Sequence, residues 1–248
     1  MNIFIQKHAF QAQEAAISVE KRIGQAIEKN GMAHIILATG NSQLMFLEAL
    51  RKRPIAWEKV IVFHLDEYIG LDENHPASFI RYLKENIINY ITPFQFHPLE
   101  GNASDLSAVI KNYTRLLEKH SIDLACIGIG ENGHLAFNDP GVADFRDQKL
   151  IKEVELDHDC RMQQYNEGWF DHLDAVPQKA LTLTLPAIMN AKHISCFVPD
   201  ERKAQAVKNS LEGPITEACP ASVLRKHPSV NLYLDPPSAQ LLSEKIDQ

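Results

Sequence analysis

The chain has 248 residues, enough for one large hydrophobic core or two small ones. With 45% hydrophobic and 23% charged residues, its composition is that of an ordinary globular protein rather than a disordered or fibrous one. A formal net charge of -7 argues against a general nucleic-acid binder, although an acidic protein can still enclose a local basic pocket for an anionic metabolite.

In chain order, residues Gln11 to Asn30 carry apolar positions at helical spacing (Ala15, Ile17, Val19, Ile23, Ala26, Ile27), with Gly31 as the stop signal. "AHIILATG" then reads as the first buried strand, beginning near residue 33, and "SQLMFLEALRKR" as a helix. "KVIVFHLDEY" reads as the second strand and "PASFIRYLKENIINYI" as a strong helix. Ser104 to His120 place Leu106, Val109, Ile110, Tyr113, Leu116 and Leu117 on one helical face. "IDLACIGIG" is the third strand and runs into the loop "GIGENGHLAFNDPG". "KALTLTL", "HISCFVP", a helix from Glu201 to Leu211, "VNLYLD" and a closing helix from Pro237 complete the pattern.

Short apolar strands alternating with helices imply a largely parallel sheet covered on both faces, in a single α/β domain spanning 1–248. The least regular stretch, Val142 to Val176, is rich in charged and polar residues and reads either as a mobile lid or as a surface excursion. Cys126, Cys160, Cys196 and Cys219 form no CxxC pair, and Cys126 and Cys196 lie in apolar runs, so buried free thiols and a reducing, cytoplasmic setting are expected. "MNIFIQKHAFQAQEAA" lacks the apolar core and cleavage site of a signal peptide, and no stretch approaches membrane-spanning length, so no membrane partner is expected. The sequence leaves self-association into a homo-oligomer open.

Ligands of open α/β sheets bind at the carboxyl ends of the strands, and three such ends carry polar chemistry here. In "ATGNSQ", Gly40 permits close backbone approach, while Thr39 and Ser42 set hydroxyls beside the free N–H groups of a helix start. That suits a phosphate; a capped helix with a glycine turn is the plainer alternative, and the P-loop spacing is absent. In "FHLDEYIGL", Asp66 and Glu67 end a buried strand, and side-chain alternation sends at most one of them into a shared cleft, where a carboxylate can act as a general base. His64 reads as a core histidine.

The loop at 128–141 spells GxGxxG through Gly128, Gly130 and Gly133, but "HLAFNDPG" breaks too soon for the long helix of a dinucleotide site. What remains is a glycine turn presenting His134, followed by Asp139, an acid able to orient the imidazole. His158, His172 and His227 show no metal-ligand spacing, and neither a metal nor a redox cofactor is expected.

Together these stretches resemble the glucosamine-6-phosphate deaminase/isomerase family. The similarity runs through "ATGNSQ", "FHLDEYIGLDENHPASF", "GIGENGHLAFNDPG", "VPQKALTLTL", "ERKAQAV…LEGP" and "LRKHPSVNLYLD", in order and over nearly the whole chain. The resemblance implies a Rossmann-like three-layer α/β/α sandwich and an amino-sugar 6-phosphate substrate. By analogy, Asp66 carries a proton between C2 and C1 of the opened sugar, His134 opens the pyranose ring, and Asp139 holds His134. Thr39, Gly40, Asn41, Ser42 and Lys203 bind phosphate, with Glu67 and Gly133 beside the substrate.

Four departures stand out, the first being Asn41 and Gln43 in "ATGNSQ", where the family often has smaller or rigid residues. Asn132 replaces an aspartate common in the family, so that position orients but accepts no proton. Asp139 replaces a frequent glutamate, one methylene longer. A lid arginine expected at the phosphate has no clear counterpart, and Arg161 is the candidate. Galactosamine 6-phosphate is an alternative substrate. A 6-phosphogluconolactonase and a non-catalytic sugar-phosphate sensor share the architecture, but the former typically carries a loop like "GPDGHTASLFP" where this chain has "GENGHLAFNDP" and "LDEY".

Overall fold

A computed structural model describes residues 1–243. The elements are β1 (Asn2–Ile5), α1 (His8–Asn30), β2 (Ala33–Leu37), α2 (Leu44–Arg51), β3 (Val60–His64), β4 (Asp66–Tyr68), α3 (Phe79–Asn86), β5 (Gln95–His97) and α4 (Leu106–Lys119). They continue with β6 (Leu124–Ile127), β7 (Ile151–Glu155), α5 (His158–Asn166), β8 (Lys179–Leu183), α6 (Leu185–Met189), β9 (His193–Val198), α7 (Ala204–Glu212), β10 (Val230–Leu234) and α8 (Pro236–Ala239).

Among the described residues, seven strands form a parallel sheet in the order β1-β10-β9-β6-β2-β3-β5. Period-two alternation divides its side chains between two cores. Ile35, Leu37, Val60, Val62, Leu124 and Cys126 face one way, against Ala15, Val19 and Ile23 of α1, Phe46 and Leu47 of α2 and Leu83 of α3. Ile36, Ile61, Phe63, Ala125 and Ile127 face the other, with Tyr113 of α4, Ile188 of α6 and Val207 of α7. The result is the three-layer α/β/α sandwich. Helix α1 ends where expected, on a left-handed Gly31 whose N–H donates to Ile27 O. Ile17, counted above on its apolar face, instead stands half exposed.

The strand order fixes the site. From β2 the sheet grows outward through β3 and β5, and from β6 through β9, β10 and β1, so β2 and β6 flank the switch point where adjacent connections depart to opposite sides. "ATGNSQ" leaves the carboxyl end of β2 and "GIGENGH" that of β6, so the crevice opens between these loops.

Several expectations are corrected. "KVIVFHLDEY" is not one strand: β3 ends at His64, and after Leu65 the chain joins a separate antiparallel sheet of order β4-β8-β7, pairing Asp66 with Thr182. Leu183 N–H donates to Leu65 O at 3.0 Å, which fixes the turn-off point. The stretch 142–176 supplies β7 and α5 and, with Tyr68, Phe79 and Phe137, encloses a third apolar cluster that includes Val154, Cys160, Phe170 and Val176. A parallel edge strand, β1, precedes the strand expected to be first. The helix in "PASFIRYLKENIINYI" stops at Asn86. All four cysteines are free and buried, and no helix among the described residues is long and apolar enough to cross a membrane.

Candidate active site

A cleft at the switch point is lined by the loops after β2, β3, β6 and β9. Its lining includes Thr39, Gly40, Asn41 and Ser42 after β2, Asp66, Gly128, Gly130 and His134 after β6, Lys203 after β9, and Gln163, Gln164 and Glu167 of the α5 segment. Buried Gln43 ties the β2 loop to the end of β9, donating from Nε2 to Ser42 Oγ and to Phe197 O, each at 3.0 Å.

His134 is the most constrained side chain in the cleft. Its backbone N–H donates to Asn132 Oδ1 at 3.0 Å, which fixes the amide orientation because a backbone N–H only donates. The Asn132 Nδ2 then donates to Asp139 Oδ1 at 2.9 Å. His134 Nδ1 lies 2.8 Å from Asn132 Oδ1 and 2.9 Å from Asp139 Oδ1, two acceptors, so Nδ1 carries the hydrogen. Nε2 has no protein partner among the described residues, and the ring borders the cleft. Aspartate is therefore long enough at 139, and asparagine at 132 serves by orienting.

Asp139 is 1% exposed. Burial works to raise its pKa, but the His134 charge and donors from His134, Asn132 and Cys160 outweigh it and hold the carboxyl below its ordinary value. Gly130 must be glycine for a packing reason: a Cβ there would lie 2.1 Å from the His134 ring.

Asp66 and Glu67 separate as alternation requires. Asp66 faces the cleft and makes no side-chain hydrogen bond to protein among the described residues. Burial, then the neighbouring Glu67 charge, pushes its pKa well above the carboxylate range. Glu67 does not reach the cleft. Its carboxylate accepts from the N–H groups of Tyr68, Phe79 and Ile80 and from Ser78 Oγ, at 2.8–3.2 Å, across the start of α3. Burial pushes it up to about 7 against the pull of these four donors. It is a structural anchor rather than a substrate contact.

Lys203 is 4% exposed and its ammonium forms no ion pair within 4.0 Å among the described residues. Burial lowers its pKa. Tyr82 Oη donates to Gly40 O at 2.7 Å and braces the β2 loop. The expectation for Arg161 is corrected. Its guanidinium donates to Leu173 O at 2.8 Å, inside the turn after α5, and does not line the cleft. Gly133 also stands outside the cleft, in a left-handed turn (φ 87°) packed against Cys219. Gly128, Gln163, Gln164 and Glu167 line it without having been singled out as site residues; the glycine was visible in the loop motif, the α5 residues had no signal. His64 is a fully buried core residue, accepting from Leu99 N–H, and its pKa is lowered by burial to about 3.

The sequence profile of the glucosamine-6-phosphate isomerases/6-phosphogluconolactonase matches residues 7–233. The chain belongs to this family. Within the glucosamine-6-phosphate isomerase/6-phosphogluconolactonase family, a glucosamine-6-phosphate deaminase of Oenococcus oeni is 38% identical over 221 residues, covering 89% of this chain and 91% of the relative. One from an Exiguobacterium species is 35% identical over 246 residues, covering 99% and 94%. A solved monomeric glucosamine-6-phosphate deaminase superposes with a TM-score of 0.88 at 30% identity, over 97% of this chain and 100% of that one. The 6-phosphogluconolactonase of Thermotoga maritima, at 16% identity, TM-score 0.76 and coverage of 94% and 99%, shares the fold alone.

Proposed function

We propose that this protein is a glucosamine-6-phosphate deaminase, converting the amino-sugar 6-phosphate to fructose 6-phosphate and ammonia. The observation that carries the reading is one cleft lined by three groups and the helix-start loop 39–42: an unpaired buried carboxylate (Asp66), an imidazole whose Nε2 alone is free (His134), and a buried unpaired ammonium (Lys203). The deaminase relatives match over nearly the full length.

Lys203, the hydroxyls of Thr39 and Ser42 and the first-turn N–H groups at residues 40–42 hold the phosphate, at the far end of the sugar from the chemistry. That remote anchor fixes the reacting carbons near Asp66. His134 takes the C1 hydroxyl proton on Nε2 and delivers it to the ring oxygen, so that the C1–O bond breaks and the pyranose opens to the aldehyde. Asp66 removes the C2 proton and returns it to C1, while one proton of the C2 ammonium passes to the C1 oxygen. The product of that shift carries C=N at C2, and water adds to it to release ammonia and leave the ketose. The raised pKa of Asp66 suits a group that both takes and gives back a proton, and the substrate's ammonium beside it favours the ionised form that starts the cycle. Asp139 and Asn132 touch only the histidine and act as positioning residues. The segment 142–176, through α5, is the lid.

The test is ammonia release and fructose 6-phosphate formation from glucosamine 6-phosphate, with galactosamine 6-phosphate and 6-phosphogluconolactone in parallel. Both products from glucosamine 6-phosphate, lost in Asp66→Asn, are expected. Lactone hydrolysis alone would overturn the reading, and ammonia only from galactosamine 6-phosphate would keep the mechanism and move the specificity.

A further inference from the structure

The lid brings to the phosphate loop a carboxylate for which the isomerisation has no use. Glu167 follows α5 and borders the cleft with Lys203 and residues 39–42. Two ties hold it there. Asn41 Nδ2 donates to the Glu167 carbonyl at 3.4 Å, joining the lid to the β2 loop. Gln163 Nε2 donates to the Glu167 carboxylate at 2.9 Å, while Gln163 Oε1 accepts from Glu131 N–H at 3.3 Å on the glycine-rich loop.

The charges around it are unequally satisfied. Arg202 is taken by Asp200 at 2.9 Å and Glu131 at 3.4 Å. Lys203 has no such contact, and against the burial that lowers its pKa the strongest opposing charge is Glu167. Glu167 thus stands with Glu131 and Asp200 among the carboxylates that act on this lysine, and of the three it is the one that lines the cleft with it.

We propose that Glu167 is a specificity-determining residue of the phosphate subsite, a lid carboxylate that repels free inorganic phosphate and admits phosphate only when it arrives on a sugar. Selectivity of this kind needs a repulsive element as well as attractive ones. A sugar phosphate offsets the repulsion with contacts at Asp66 and His134, whereas inorganic phosphate has only the Lys203 end. The inference rests on the assignment of Lys203 and residues 39–42 to the phosphate.

Trp169, two residues further on, meets Tyr82 edge-on at 6.2 Å, and Tyr82 braces Gly40, so its fluorescence reports this subsite without turnover. With Trp57→Phe, Trp169 remains as the one of two tryptophans. The protein with and without Glu167→Gln is titrated with inorganic phosphate; glutamine keeps an Oε1 acceptor for Gln163, so the charge alone is removed. Expected is phosphate binding about three- to tenfold tighter in Glu167→Gln at low salt, the gain shrinking as sodium chloride is added. Unchanged or weaker phosphate binding overturns the proposal, as does a raised KM for the amino-sugar phosphate with phosphate binding unmoved, which would mean that Glu167 recognises the ammonium. Adding Lys203→Ala separates the levels: phosphate binding that survives it would remove the phosphate assignment itself, whatever Glu167 does.

Discussion

At the scale of single residues, the proposed mechanism divides the site into groups that do chemistry and groups that aim them. Asp66→Asn is expected to lower kcat by about 10²–10⁴-fold, the usual contribution of a general base, and His134→Gln by a similar factor, each measured as ammonia release on folded protein. Asn132→Ala leaves the tautomer to Asp139 alone and frees the ring to rotate, so a kcat loss of about tenfold with a smaller change in KM is expected. Gly130→Ala separates packing from chemistry. Its Cβ would meet the imidazole at 2.1 Å, so the ring is displaced: activity falls about as far as in His134→Gln, with a stability loss of about 1–3 kcal/mol in denaturant unfolding. Because burial and the Glu67 charge raise the Asp66 pKa, the acid limb of kcat/KM lies above the ordinary aspartate value of about 4: activity rises with pH as the carboxyl ionises. A limb at or below that value would show that Asp66 is not the titrating base. His134, Asp139 and the 39–42 loop were legible because residue type, glycine spacing and position after an apolar run coincide. The division between Asp66 and Glu67 was legible only as alternation, which says that they part and not which one enters the cleft.

At the scale of elements, the decisive feature is the departure of the chain from the main sheet at Leu65. Pairing β4 with β8 turns Asp66 into the cleft and Glu67 onto the start of α3. Glu67→Ala strips the acceptor from three backbone N–H groups and Ser78 Oγ in a buried site, a cost of about 3 kcal/mol in denaturant unfolding. Glu67→Gln recovers only part of it, since an amide NH₂ would face donors; an unchanged midpoint for both would refute the anchoring role. The break itself left no mark in "KVIVFHLDEY", because ten apolar-rich residues read alike whether they cross one sheet or two. The same limit hid β7 within a polar stretch and made Arg161 a candidate: the sequence shows a cation in the lid region, but not that it turns inward to Leu173 O.

At the scale of the whole molecule, the candidate site and an ionic clasp occupy opposite ends of the parallel strands. Asp123, before β6, accepts from His34 N–H at 2.9 Å and from Lys192 Nζ at 2.6 Å. Burial opposes its ionisation, yet these partners bring its pKa down to about 2. A folded pKa below the unfolded value means that the stabilisation is present above pH 4 and is lost as pH falls from there through 2. Asp123→Asn is therefore expected to lose about 2 kcal/mol at neutral pH and to show a flatter stability profile in that window, read by denaturant unfolding at stepped pH. An equally steep profile would assign the acid sensitivity elsewhere.

What the sequence determined by itself was the alternation of buried strands and amphipathic helices, hence the three-layer class, and the loops in which chemistry resides. Local periodicity and turn residues encode both, since they depend on neighbours a few positions away. Only the tertiary structure decided that β2 and β6 are adjacent, that loops starting some ninety residues apart share a crevice, that Glu67 faces a helix and Arg161 its own turn, and that Glu167 and Lys203 line the same cleft. Each of these depends on which strand pairs with which, and pairing is settled by burial summed over the whole chain rather than by any short stretch of it.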